Sequence, residues 1–153
     1  MTQSAPNTEL PVNEQGITQD ERLLALFAHL SIFFGSLIIP LIFWAINKGK
    51  SKFVVFHSLQ SLFFHLAYSV VLGFIIGITA VTGFAAGIFK GATHSHSPGA
   101  FAIIIFAALG IMIALIVLGA IVLAILNAVD SYKGGMKKYP VIGNIVYRKV
   151  YGK

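Results

Sequence analysis

The chain has 153 residues, 57% of them hydrophobic and only 10% charged, with a formal net charge of +6 and no cysteine. A soluble domain of this size needs far more charge, so the long apolar runs identify a membrane protein. Without cysteine, disulfides, thiol nucleophiles and Cys-based metal sites are excluded. Because the basic residues flank apolar segments, the positive charge points to anionic lipid headgroups and not to nucleic acid.

Residues 1–17 are polar, with Pro6, Pro11, Glu9 and Glu14, and lack the basic-then-apolar pattern of a cleaved signal. They read as a disordered tail. Thr18-Gln19-Asp20-Glu21 then matches a capping box, with the two acids placed to suit the positive end of a helix dipole. Leu23 to Ile46 predicts a first span of 24 uncharged residues. Pro40 inside it predicts a kink, since it leaves the Ser36 carbonyl without its usual donor, and Gly35 and Ser36 sit where a bend is easiest. Trp44 falls at interfacial depth.

Asn47 to Lys52 is a short basic turn, with Gly49 as a helix stop. Phe53 to Phe89 follows, 37 residues without one Asp, Glu, Lys or Arg. As one helix it would measure roughly 55 Å, nearly twice the hydrocarbon core. The expected solution is an amphipathic start to about His65 and a crossing from about residue 66 to 89. At helical spacing His57, Ser58, Gln60, Ser61, His65, Tyr68 and Ser69 share one side, and Phe56, Leu59, Leu62, Phe63 and Leu66 the other. The polar side predicts contact with protein, and the phenylalanine-rich side contact with lipid tails.

Gly73 with Gly77, Gly83 with Gly87, Gly110 with Ala114, and Ala120, Ala124 and Ala128 give the small-xxx-small spacing of close helix contacts. Lys90 to Gly99 reads as a solvated loop carrying His94 and His96. Residues 100–126 form the third expected span, an apolar run of 27 residues. Residues 131–153 are a basic tail in which Lys137, Lys138, Arg148 and Lys149 would hold the segment Val141–Tyr147 against anionic lipid.

Three crossings would leave nine Lys and Arg on one side and two on the other. The positive-inside rule then predicts an outside N-terminus and a cytoplasmic C-terminus. No nucleotide-binding, metalloprotease or serine-hydrolase signature occurs. Histidines take the place of intramembrane acids: His29 in the first span, His57 and His65 in the second. Packing, a polar conduit or partner surface, and metal-based catalysis are the three readings of that set.

Several pieces together look familiar: Ala28–Ser31 (AHLS), Pro40, the basic turn, FVxxHxxQSxxF from Phe53 to Phe64, a long final span and Tyr139–Pro140. They resemble a family of small bacterial membrane proteins related to the twenty-kilodalton subunit of the chloroplast inner-envelope translocon (Tic), which also includes magnetosome membrane proteins. The resemblance covers about Thr18 to Pro140, and its most distinctive element is His57-xx-Gln60. It implies an inner-membrane location.

The resulting expectation is an all-α, integral membrane three-helix bundle with a long second helix and a membrane domain over residues 18–130. It is a multi-pass bacterial inner-membrane protein, not an enzyme, without a cofactor, assembling with its own copies or another membrane protein. Its expected class is a translocation or assembly component, with an oligomeric small-solute or ion channel as the alternative. His29, His57, Gln60, Ser61 and His65 form the candidate stripe or partner surface.

Overall fold

The computed structural model describes residues 16–34, 37–93 and 100–152. The N-terminal tail, the expected bend at Gly35 and Ser36, and the His94/His96 pair lie outside them. The described residues form five α-helices: α1 (Gln19–Leu30), α2 (Ile38–Asn47), α3 (Lys52–Thr93), α4 (Ala100–Tyr132) and α5 (Ile142–Tyr151), with a 3-10 turn at Ser31–Phe34 after α1. The chain divides into two compact units. The first comprises Met1–Phe64 and Leu123–Lys153, the second His65–Val122.

In the first unit α1 begins with the predicted capping box: the Thr18 side chain accepts from the Glu21 N–H, and Glu21 accepts from the Thr18 N–H at 2.8 Å. Partial burial works against the Glu21 carboxylate, but hydrogen bonds from Ser51 and Thr18 outweigh it and hold it below the usual carboxylate range. The box therefore contributes at neutral pH and is lost as acid protonates Glu21.

The expected first span is not one helix. It is α1, the 3-10 turn and α2, of 12, 4 and 10 residues. At 1.5 Å per residue α1 and α2 are about 18 and 15 Å long, so neither crosses a hydrocarbon core of about 30 Å. They double back on one another. Phe43 of α2 joins Leu24 and Ala25 of α1 in one apolar cluster with Phe53 and Val54, and Phe27 and Leu30 face Ile39 and Ile42 across a shared groove. Glu21 at the start of α1 meets Ser51 just before α3. The expected kink at Pro40 is likewise corrected. The break comes earlier, and Pro40 is the third residue of α2, where an N–H would have no intrahelical partner to lose.

The tip of this hairpin is apolar and open: Phe33, Phe34 and Ile38 are 53%, 78% and 66% exposed. A surface of that kind in water would be an aggregation hazard, whereas in hydrocarbon it is neutral.

α3 is the long second helix that was expected, 42 residues in one piece. Its start is buried on both sides, which corrects the lipid-facing assignment of Phe56 and Leu59. These pack against Val146 of α5, with Trp44 and Tyr147 at the margin. Phe63 is open, as expected. The segment Val141–Tyr147 is accordingly not simply laid on the membrane, because Gly143 and Val146 of α5 are buried.

α4 ends in a Schellman motif. Gly134 has φ +82°, the Gly135 N–H bonds the Asp130 carbonyl at 2.9 Å, and the Gly134 N–H bonds that of Ser131 at 2.9 Å. A second tight turn precedes α5. Val141 has φ 63° and ψ −62°, and the Ile142 N–H reaches the Pro140 carbonyl at 2.7 Å, a γ-turn of the rare and strained hand.

The second unit contains the rest of α3 and α4. Val70, Phe74, Val81 and Phe84 of α3 and Ile104, Ile111 and Leu115 of α4 are all more than 60% exposed. The stretches Lys52–Ile88 and Ala102–Tyr132 are long and apolar enough to cross a membrane. Where the sequence led us to expect three long helices, the described residues hold two. A Cβ at Gly83 would touch the Phe106 ring at 3.6 Å, whereas one at Gly73, Gly77, Gly87 or Gly110 would meet nothing. Among the glycines of these pairs Gly83 is the one that stands against a neighbouring helix in this way, while Ala120, Ala124 and Ala128 are buried.

The hairpin makes a direct prediction in a chain without native cysteine. A Glu21→Cys/Ser51→Cys variant should oxidise to an intramolecular disulfide in native membranes, detected as a mobility shift reversed by reductant. Failure to crosslink, with both thiols accessible to maleimide, would contradict the hairpin.

Candidate functional site

The polar side of α3 faces inward in the first unit. His57, Ser58, Gln60 and Ser61 are all fully buried, as is His29 of α1. The four on α3 are there because helical spacing stacks them on one side of that helix, against α1 and the chain that follows α4. His65 is also buried, but it belongs to the second unit.

Four groups form a continuous chain of hydrogen bonds. The Tyr139 hydroxyl lies 3.1 Å from His29 Nδ1, His29 Nε2 lies 3.0 Å from His57 Nδ1, and His57 Nε2 lies 3.1 Å from the Gly135 carbonyl. A carbonyl oxygen only accepts, so His57 Nε2 must carry a proton. With neutral rings the remaining directions follow. His57 Nδ1 accepts from His29 Nε2–H, and His29 Nδ1 accepts from the Tyr139 hydroxyl. Burial pushes the Tyr139 hydroxyl above the usual phenol range, which keeps it a donor. Its ring stacks on Phe64 at 4.0 Å between centroids, and the two imidazoles meet edge to face at 5.3 Å.

Gln60 acts on the same segment through its amide. Nε2 donates to the Lys137 carbonyl at 3.0 Å and to Asn127 Oδ1 at 3.4 Å, while Oε1 accepts from the Tyr139 N–H at 3.1 Å. The side chain thus pairs with residues 137 and 139 much as a neighbouring strand would. Asp130 adds a fourth tie, accepting from the Lys137 N–H at 2.7 Å. Ser61 donates to the Ala28 carbonyl of α1. Space is tight: a Cβ on Gly143 would stand 2.5 Å from Gln60 Oε1 and 2.5 Å from Lys138 Cβ, and one on Gly135 would collide with the Asp130 carboxylate.

His29, His57, Gln60 and Ser61 are therefore brought together; helical spacing put the last three on one side of α3, and the structure sets them against α1, which carries His29. Pro40 is buried in α2, outside these hydrogen bonds. Lys137, Lys138, Arg148 and Lys149 are exposed, and Lys138 Nζ stands 3.8 Å over the Tyr147 ring. Sequence reasoning assigned no role to Tyr139, Asn127 or Asp130. The Tyr-Pro pair marked position 139 as part of the resemblance, but nothing local in the sequence showed that a tyrosine 110 residues from His29 would bond it.

Chemically, the arrangement holds backbone in place. The three ring nitrogen contacts are spent on one another, on a phenol and on a carbonyl. Among the described residues no three His, Asp or Glu side chains converge.

Residues 20–146 match the model of the magnetosome magnetite crystal formation protein family, MamF/MmsF. That is most of the chain, and the protein belongs to this family of magnetosome membrane proteins, related to Tic20-like proteins. No curated protein and no solved structure matches it.

Replacing Gln60 by Ala leaves the Lys137 carbonyl and the Tyr139 N–H without their buried partner, a loss of about 3 kcal/mol. The Tyr139→Phe change orphans one imidazole nitrogen and should cost less, about 1 kcal/mol. Thermal unfolding of the detergent-solubilised variants followed by circular dichroism checks the order. In a Gln60→Glu variant the loss should grow as pH rises and the new carboxyl ionises against the Lys137 carbonyl.

Proposed function

We propose that this member of the magnetosome family serves magnetite crystal formation as a non-enzymatic assembly component of the membrane, acting through contacts with its own copies or other membrane proteins. The observation that carries this reading is that His29, His57, Gln60 and Ser61, the centre of the polar stripe, spend their hydrogen bonds inside the first unit. His57 and Gln60 are bonded to α1, α4 and residues 135–139, and none of these bonds leaves a lining for a conduit. The charge supports it from another direction. The chain has only five acidic residues against eleven Lys and Arg, whereas hard iron or mineral surfaces call for carboxylate ligands.

A topology follows from the same reading. α1 and α2 enter and leave on one side as a re-entrant pair, and α3 and α4 make the two crossings. Lys90 then lies at the far end of α3, and the other ten Lys and Arg flank the first unit. The positive-inside rule puts that ten-to-one majority, and with it both termini, in the cytoplasm. The N-terminus changes side relative to a three-crossing chain.

Reporter fusions at the two ends should both read cytoplasmic, and one inserted within residues 94–99 should read the opposite side. An N-terminal fusion on the outer side would restore the third crossing. Purified protein in liposomes should conduct ions and small solutes no faster than empty vesicles, while crosslinking in native membranes should yield discrete adducts. Conductance above the empty-vesicle background would favour the channel.

A further inference from the structure

At the base of the first unit, the turn between α2 and α3 and the end of α5 enclose an open cleft of about 590 Å³. Four lysines rim it: Lys48, Lys50, Lys52 and Lys149. Its floor is apolar, built from side chains that include Trp44 and Leu59. None of the residues lining it is an acid. Glu21 lines the other side of the 50–52 turn, where it is committed to Ser51 and Thr18.

Four ammonium groups around one cleft repel one another, and nothing on the rim offsets that repulsion. Gly49, at φ +83°, makes the turn that sets Lys48 and Lys50 on the rim. Lys48 Nζ stands 5.5 Å over the Trp44 ring and Lys52 Nζ 6.0 Å over that of Tyr151, so two of the four are steered by aromatic faces. A tryptophan beside a basic rim is also the composition of a membrane interface.

We propose that this cleft is a binding site for one anionic phospholipid, with the phosphate among the four lysines and the upper acyl chain on the Trp44–Leu59 floor. The proposal rests on the two-crossing reading, which sets the cleft at the cytoplasmic headgroup level. Charge selects an anion, and the apolar floor selects one attached to a hydrocarbon chain over free phosphate. The neighbouring outer face of α2 continues that apolar path, with Leu41 and Ile46 45% and 51% exposed. The site differs from diffuse attraction of a basic tail to a charged surface, because three of its four lysines come from the α2–α3 turn and not from the tail.

Trp44 is the chain's single tryptophan and lies in the site, so its fluorescence reports occupancy directly. The full chain is reconstituted in phosphatidylcholine bilayers containing a small fraction of lipid brominated near the headgroup end of the acyl chain. Brominated phosphatidylglycerol should quench Trp44 as if its local concentration were at least about fivefold that of brominated phosphatidylcholine. In the Lys48→Gln/Lys50→Gln/Lys149→Gln variant the two lipids should quench alike, with circular dichroism and melting unchanged. Millimolar inorganic phosphate should leave the excess intact.

Equal quenching by both lipids in the unaltered protein overturns the site while leaving the topology standing. Quenching by neither overturns the topology as well. An excess that survives the triple change, or that inorganic phosphate abolishes, overturns the lysine-held lipid in favour of another origin or of a free anion.

Discussion

The carbonyl of Gly135 can only accept a hydrogen bond, and that constraint propagates through the protein. It fixes a proton on His57 Nε2 and, with neutral rings, the proton on His29 Nε2 and the donor role of Tyr139. One unbroken sense of donation then joins α1, α3 and the segment after α4. The His29, His57 and Tyr139 side chains are almost wholly inaccessible, and an unmade hydrogen bond there costs far more than a made one contributes.

The need being met is that of irregular backbone next to a bilayer. Between α4 and α5 the chain turns twice, at Gly134 and at Val141, and residues 135–139 have no helical ladder of their own. Non-helical backbone near hydrocarbon is tolerated only where protein satisfies it. His57 takes the Gly135 carbonyl, Gln60 the Lys137 carbonyl and the Tyr139 N–H, and Asp130 the Lys137 N–H. The polar stripe of α3 is thus the partner of a returning tail, and the tail's α5 seals Phe56 and Leu59 on the other side. The same accounting explains why a histidine and a glutamine stand three residues apart at the start of this helix: both reach one strand-like segment from one helical face.

Much of this was legible in the sequence, for reasons that can be named. The capping box at Thr18–Glu21, the length of α3 and the inward polar side of its start all follow from short-range periodicity. Three features did not. The hairpin of α1 and α2 was hidden because 24 uncharged residues satisfy a span by length alone, and Gly35, Ser36 and Pro40 suit a kinked crossing as well as a break. The burial of Phe56 and Leu59 was hidden because a phenylalanine-rich face suits lipid and suits an amphipathic helix folded on it equally well. Tyr139 could be marked as a motif but not as a partner, since it lies 110 residues from His29 in the chain.

The central claim is that both imidazoles are neutral and share one proton arrangement. Nitrogen-15 NMR of the histidine-labelled protein in a bilayer at neutral pH measures it directly. The account predicts that His29 and His57 both appear as Nε2–H tautomers, with a coupling across the bond from His29 Nε2 to His57 Nδ1. Two Nδ1–H tautomers, or a doubly protonated ring at either position, would contradict it.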